Sequence, residues 1–335
     1  MKEIVRWGMI GCGDVAERKS GPGLYKATGS ALEIVMDIDG SIAKKYAERH
    51  KIKKWTDNAD ELIMSPDVDA VYIATPPDSH CHYAKLVAAA GKPVLVEKPM
   101  ARTLAEAEEL VECCKDAGVP LFVSYYRRAM PRFLKVKEWI DNNKIGKSLF
   151  VNIQHHGRSE NHPVAPIDSK NPPVGDDIPW RFVPDISGGG NFVDCGTHII
   201  DMVDYLLGPF TEINGKAWNK GGLYLAEDTV SGKFVVNNNI PGTCNFCYIS
   251  DNDVDKIEIV GDKGSIRFSC FDDNALELQI GDEVEYVETS DEYVHQPIIQ
   301  TVVDELLGKG KSPSNGENAL RAMYVQDCYL SEYYS

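Results

Sequence analysis

The chain has 335 residues, more than one ordinary hydrophobic core organises, so two domains are expected. Its composition is globular, 43% hydrophobic and 26% charged, and 35 basic against 51 acidic side chains leave a net charge of −16. A surface this acidic repels phosphate backbones and anionic lipid, which argues against nucleic acid and membranes as partners but not against a hydroxylated small molecule.

The first apolar run, residues 4–10, begins almost at once and leaves no room for a secretory leader. No apolar stretch approaches the ~18 residues of a membrane span. Nine cysteines show no disulfide framework: Cys113 and Cys114 are adjacent, and Cys244 and Cys247 form a single CxxC without a second pair, so no metal site is expected. Scattered thiols fit a reducing compartment, and a cytoplasmic protein is expected.

Further apolar runs follow at 32–36, 70–74, 94–96 and 121–123, separated by helical periods at 41–50, 57–64, 80–90 and 104–117. The last helix opens with a capping box, Thr103 and Glu106. Near-continuous apolar strands alternating with helices predict a doubly wound parallel α/β domain over residues 1–123. Residues 124–335 predict an α+β domain: a helix at 132–142, a strand at 149–154, a long proline-rich irregular stretch at 155–190, a helix at 192–207, and a large, mainly antiparallel sheet from 211 to about 288 with one open face. Helices near 295–307 and 316–330 follow and can pack back on the first domain.

The first strand runs into Gly11-Cys12-Gly13-Asp14-Val15-Ala16, a G-x-G-x-x-A turn. Such glycines let backbone approach a pyrophosphate that the next helix N-terminus faces. Asp37 ends the following strand, where a carboxylate accepts from ribose hydroxyls and repels a 2′-phosphate, so NAD is favoured over NADP. The rival reading is a helix cap, a task that suits Asp39 better. Two further strand ends, Thr75-Pro76 up to His80 and Glu97-Lys98-Pro99, lie where open α/β sheets bind ligands. A cis bond before Pro99 would hold Lys98 at an unusual angle.

Asp194 and His198 stand four apart on the predicted 192–207 helix and should share a face, with Asn191 and Asp201 extending the polar stripe. Phe192, Ile199, Val203 and Leu206 would pack on the opposite side. Oxidising a carbinol releases a hydride and a proton. His198 suits the proton, Asp194 can orient it or hold a substrate hydroxyl, and Lys98 can stabilise alkoxide character or be the proton carrier itself. Arg127 and Tyr126 are substrate-contact candidates; His155 and His156 follow a strand, and His295 has only its residue type to recommend it.

Taken together, Gly11-x-Gly13-x-x-Ala16, Ala74-Thr75-Pro76, Glu97-Lys98-Pro99, Tyr126-Arg127-Arg128 and Gly190-x-x-x-Asp194-x-x-x-His198 resemble the Gfo/Idh/MocA oxidoreductase family. The resemblance implies a Rossmann domain plus an open-sheet domain that often mediates oligomerisation, nicotinamide held between them, and Lys98, Asp194 and His198 as the catalytic group. It also implies Gly11 to Val15, Asp37, Thr75, Pro76, His80, Glu97, Lys98, Trp180 and Arg181 as cofactor contacts. Cys12 to Val15, Lys19 to Pro22 and Trp180-Arg181 look closest to members of the 1,5-anhydrofructose reductase type. Members of that type that use NADP tend to place arginine after the second strand, where this chain has Asp37-Ile38. Two other functions compete: a catalytically silent NAD-binding regulator, which would be expected to lose the Lys98, Asp194 and His198 set that is complete here, and an NAD-dependent glycosidase, which could keep much of the same apparatus.

Overall fold

Residues 3–158, 178–289 and 293–335 are described by the structure, a computed structural model; the middle of the proline-rich stretch lies outside them. The chain divides into two compact units, residues 1–130 with 291–320, and residues 131–290 with 321–335.

In the first unit the apolar runs become strands β1 (Val5–Ile10), β2 (Ser30–Met36), β4 (Ala70–Ile73), β5 (Val94–Val96) and β6 (Leu121–Val123). β3 (Lys54–Thr56) was not foreseen: it is three residues long at the sheet edge with Lys54 and Trp55 exposed, so it shows no apolar run. The sheet is wholly parallel in the order β3-β2-β1-β4-β5-β6. Trp7, Met9 and Ile10 are fully buried, as strands covered on both faces require.

The connecting helices are α1 (Gly21–Lys26), α2 (Gly40–His50), α3 (Ala59–Met64), α4 (His80–Ala89) and α5 (Leu104–Asp116). α2 is capped by Asp39, which accepts from the Ser41 amide at 2.8 Å. α5 is capped by Thr103, and its Glu106 reaches back to the amide of Arg102, one residue further than a standard box requires. α1 is preceded by a π-helical turn, Ala16–Ser20. The hydroxyl of Tyr46 donates to the carbonyl of Ala16 at 3.1 Å, and a Cβ at Gly21 would stand 1.9 Å from it, so Gly21 makes the room.

The second unit contains α6 (Pro131–Asp141), β7 (Ser148–His156), α7 (Pro184–Ser187), α8 (Thr197–Leu207) and strands β8 (Phe210–Trp218), β9 (Thr229–Val236), β10 (Ile240–Cys247), β11 (Val254–Gly261), β12 (Gly264–Phe268), β13 (Leu276–Ile280) and β14 (Glu283–Val287). The eight strands form one sheet, β14-β13-β12-β11-β7-β10-β9-β8, antiparallel except where β7 lies beside β10. β10 alternates strictly: Ile240, Gly242, Cys244 and Phe246 face the core, Pro241, Thr243 and Asn245 the open face. Phe192 packs edge-on against Phe246 and Tyr329 to fill the covered face.

The chain ends with α9 (Gln296–Leu306) and α10 (Gly316–Leu330). α9 belongs to the first unit and presses on α1, where a Cβ at Gly23 would meet Ile299 at 2.5 Å. Among the described residues no helix is long and apolar enough to cross a membrane, and all nine cysteines are reduced.

Candidate functional site

Strand order reverses at β1, which has β2 on one side and β4 on the other; the ends of these three strands deliver Gly11, Asp37 and Thr75. This is where open α/β sheets bind nucleotides. Gly11 has φ 96°, and a Cβ there would lie 2.8 Å from the backbone of Ala74, so only glycine fits. Around Gly13 a Cβ would meet nothing within 4 Å, leaving its backbone open on one side. Asp37 fastens the turn: one carboxylate oxygen accepts from the Cys12 amide at 2.9 Å, the other from the Asp39 amide at 3.1 Å. The Cys12 thiol is buried against the Met36 carbonyl and is pushed up to about 12 by burial and by Asp37, so Cys12 serves through its amide. Asp14 is exposed and pairs with Arg18, and Val15 is half-buried. These residues fit a dinucleotide: a backbone cradle at a helix N-terminus, with a carboxylate at the end of β2.

His80 is almost wholly buried, with Nδ1 3.0 Å from the carbonyl of Pro99 and Nε2 2.8 Å from that of Thr75. Burial drives it down to about 4, against the pull of both carbonyls. A direct cofactor contact was expected of His80. Both its nitrogens face backbone carbonyls, and the neutral ring, with a single N–H, donates to one of the two.

Glu97, also expected at the cofactor, is buried. Tyr72 donates to Oε1, the Lys98 amide lies 3.3 Å from Oε2, and Nδ1 of His295 is 3.6 Å from Oε1. Burial raises the Glu97 carboxyl, against the pull of Tyr72 and Lys98, and drives His295 well below its ordinary value. The His295 ring stacks on Tyr126 at 4.2 Å, and the guanidinium carbon of buried Arg127 lies 4.7 Å from the Tyr126 ring centre. Lys98 itself is half-buried, and the Lys98–Pro99 bond is cis. Nothing in the local sequence around His295 signals this neighbourhood, because it is reached by a return of the chain.

In the second unit Gly188 caps α7 with φ 86°, and the chain enters a π-helical turn, Phe192–Gly196, before α8. A regular helix with a polar stripe was expected. The π turn takes up the start of that helix, and the stripe is not solvated: Asn191, His198 and Asp201 are all buried. Asp194 keeps a quarter of its side chain exposed, and its Oδ2 accepts from Arg181 Nε at 3.2 Å. Arg181 and Trp180, expected at the cofactor, lie on a 3₁₀ turn, Trp180–Phe182, with the guanidinium carbon 4.3 Å from the Trp180 ring centre.

The same unit holds a cavity of about 530 Å³ lined by His155, Arg158, Cys195, Tyr248, Asp255 and Phe271 among others. The edge of His198 meets Phe271. His155 of β7 sits directly across from Asp255 of β11, its Nδ1 3.6 Å from Oδ1. Burial works to raise the Asp255 carboxyl, but His155 and the Phe271 amide outweigh it and hold it below the usual range. The partnership of His155 and Asp255 depends on strand register, which no local pattern discloses. Among the described residues no group of three or more His, Cys, Asp or Glu side chains is placed to hold a metal.

Residues 5–125 match the model of an oxidoreductase family with an NAD-binding Rossmann fold, and residues 133–267 match the GFO/IDH/MocA C-terminal domain. An oxidoreductase of Formosa agariphila is 35% identical over 331 residues, covering 98% of this chain and 99% of its own. A scyllo-inositol 2-dehydrogenase (NAD(+)) of Bacillus subtilis is 29% identical over 216 residues, 64% of this chain and 58% of its own. Among solved structures, levoglucosan dehydrogenase in complex with NADH and levoglucosan superposes with a TM-score of 0.85 over 98% of this chain and 97% of its own; at 22% identity the likeness is one of fold.

Proposed function

Because this chain belongs to the GFO/IDH/MocA oxidoreductase family, we propose that it transfers a hydride between NAD(H) and a carbinol or carbonyl carbon of a sugar, polyol or related compound. The observation that carries this reading is the glycine turn at the strand-order reversal with Asp37 fastened to its Cys12 amide.

The backbone from Gly11 to Val15 holds the pyrophosphate, and Asp37 takes the adenosine ribose, disfavouring a 2′-phosphate there. The bound nicotinamide supplies the carbon that accepts or releases the hydride. His80 acts one step back, packed between the Thr75 and Pro99 carbonyls and donating to one of them. Lys98 stabilises negative charge on the reacting oxygen. His198 takes the proton in oxidation and returns it in reduction, and Asp194, restrained by Arg181, orients a substrate hydroxyl. The cavity beside Cys195 receives the hydroxylated ring, with Phe271 as an apolar wall and His155 as a hydrogen-bonding group. Relatives named for levoglucosan, 1,5-anhydro-D-fructose and inositols support that substrate class. The open sheet face, with a concavity of about 700 Å³ bordered by Phe150, Lys233 and Thr243, serves homo-oligomerisation in this reading.

The test is absorbance at 340 nm with NAD and a panel of inositols, aldoses and anhydro sugars. NADH formation with at least one of them is expected. Aglycone release without net NADH, or cofactor binding without turnover on any, would overturn the reading.

A further inference from the structure

The carboxylate of Glu227 is fully buried, and among the described residues its partners are an amide and a phenol rather than a cation. The Gly190 amide lies 2.9 Å from each of its oxygens. The Gly190 carbonyl in turn accepts from the amide of Asp194 at 3.1 Å. A single residue, Gly190, therefore links Glu227 to the backbone of Asp194 through its amide on one side and its carbonyl on the other. The fit is close: a Cβ at Gly190 would stand 2.3 Å from the Glu227 carbonyl oxygen, and one at Gly189 would meet the Val193 side chain at 2.5 Å and Glu227 Oε2 at 3.2 Å.

The other side of Glu227 is held as firmly. The Tyr334 hydroxyl donates to Oε2 at 2.5 Å, and Tyr333 donates to the Leu225 carbonyl at 2.9 Å. The surrounding loop is self-braced: Asp228 accepts from the Lys220 and Gly221 amides, and Asn219 donates to the Ala226 carbonyl at 3.0 Å. A buried carboxylate with no cation is costly unless fully hydrogen-bonded, and here its bonds run to the turn that starts the π helix.

We propose that Glu227, seated by Tyr334, is a positioning residue for Asp194, acting through Gly190. The inference rests on the reading of Asp194 as a substrate-orienting group.

The test uses the full chain carrying Tyr334→Phe or Glu227→Gln. kcat, KM and the NADH dissociation constant are measured with the active substrate. Maleimide labelling at Cys195, the half-buried thiol next to Asp194, is followed by peptide mass mapping, with Cys113 on α5 as internal control. Losing a hydrogen bond to a charged group should lower kcat roughly fivefold to tenfold and shift the Cys195 labelling rate severalfold, with NADH binding and Cys113 labelling unchanged. If Glu227→Gln does not fold, Tyr334→Phe decides alone, since it removes one hydroxyl. Unchanged Cys195 labelling in the folded variants overturns the proposal, whatever happens to kcat. Altered labelling with native kcat upholds the positioning of Asp194 and instead refutes its part in the reaction.

Discussion

Nε of Arg181 stands 3.2 Å from Oδ2 of Asp194, and both side chains keep a quarter to a third of their surface exposed. A pair this wet contributes little to stability but can fix one rotamer of the carboxylate. Arg181→Ala should therefore leave thermal stability nearly intact and lower kcat/KM roughly threefold to tenfold. In the Arg181→Ala, Asp194→Asn double variant the two losses should not add, because both remove the same contact. A double-mutant cycle on kcat/KM checks this; full additivity would mean that the pair is idle.

Asp37 has two tasks in the first unit, so its replacement should show two effects. Asp37→Ser should weaken NADH binding, since the Cys12 amide loses its acceptor. It should also narrow the gap between NADH and NADPH by lifting charge repulsion. Fluorescence quenching gives both dissociation constants; equal affinity for the two cofactors in the wild type would remove the basis for the second effect.

Lys98→Ala should abolish most turnover and spare NADH affinity, because the pyrophosphate rests on the 11–15 backbone. His198→Ala should lower kcat roughly 10²- to 10⁴-fold, the usual range for lost acid–base help. In the wild type, oxidation should rise with pH through one ionisation and reduction should fall through a related one. If that ionisation persists in His198→Ala and vanishes when Lys98 is replaced, Lys98 moves the proton.

Two buried groups should tilt stability against pH in opposite directions. His80 is lowered by burial from 6.5 to about 4, so the unfolded chain binds its proton first and stability drains as pH falls through that window. Glu227 is raised by burial from 4.5 to about 7, so the folded chain holds its proton longer and stability drains as pH rises from 4.5 to 7. Relative to wild type, His80→Gln should gain on the order of 2 kcal/mol between pH 7 and pH 5, and Glu227→Gln on the order of 2–3 kcal/mol between pH 5 and pH 8. Urea unfolding at three pH values measures both; parallel curves for variant and wild type would refute the shifts.

The parallel sheet was legible because its strands are buried on both faces and read as unbroken apolar runs. β3 escaped because an edge strand of three residues has no such run. The helix caps at Thr103 and Asp39 were legible because a cap is a local bond. At His80 and Glu97 motif position says where a side chain starts and not which protein groups it meets, so their buried backbone and side-chain partners were not legible. Glu227 and Asp255 drew no notice at all: each matters through a partner far off in sequence, fixed by a turn in one case and by register in the other. The π turns before α1 and α8 are likewise invisible to periodicity, since five residues of altered pitch sit inside an otherwise helical stretch.

His295 reaches Glu97 only after the chain has built the sheet that separates them in sequence. During synthesis the first 130 residues therefore leave the ribosome without the ring that stacks on Tyr126 and without the helix that covers α1. The second unit waits as well, since residues 321–335 complete it and bring Tyr334 to Glu227. Neither half can finish folding before the last helix is made. A nascent chain of this protein exposes apolar surface for most of its translation, and a fragment cut at residue 130 inherits that exposure permanently.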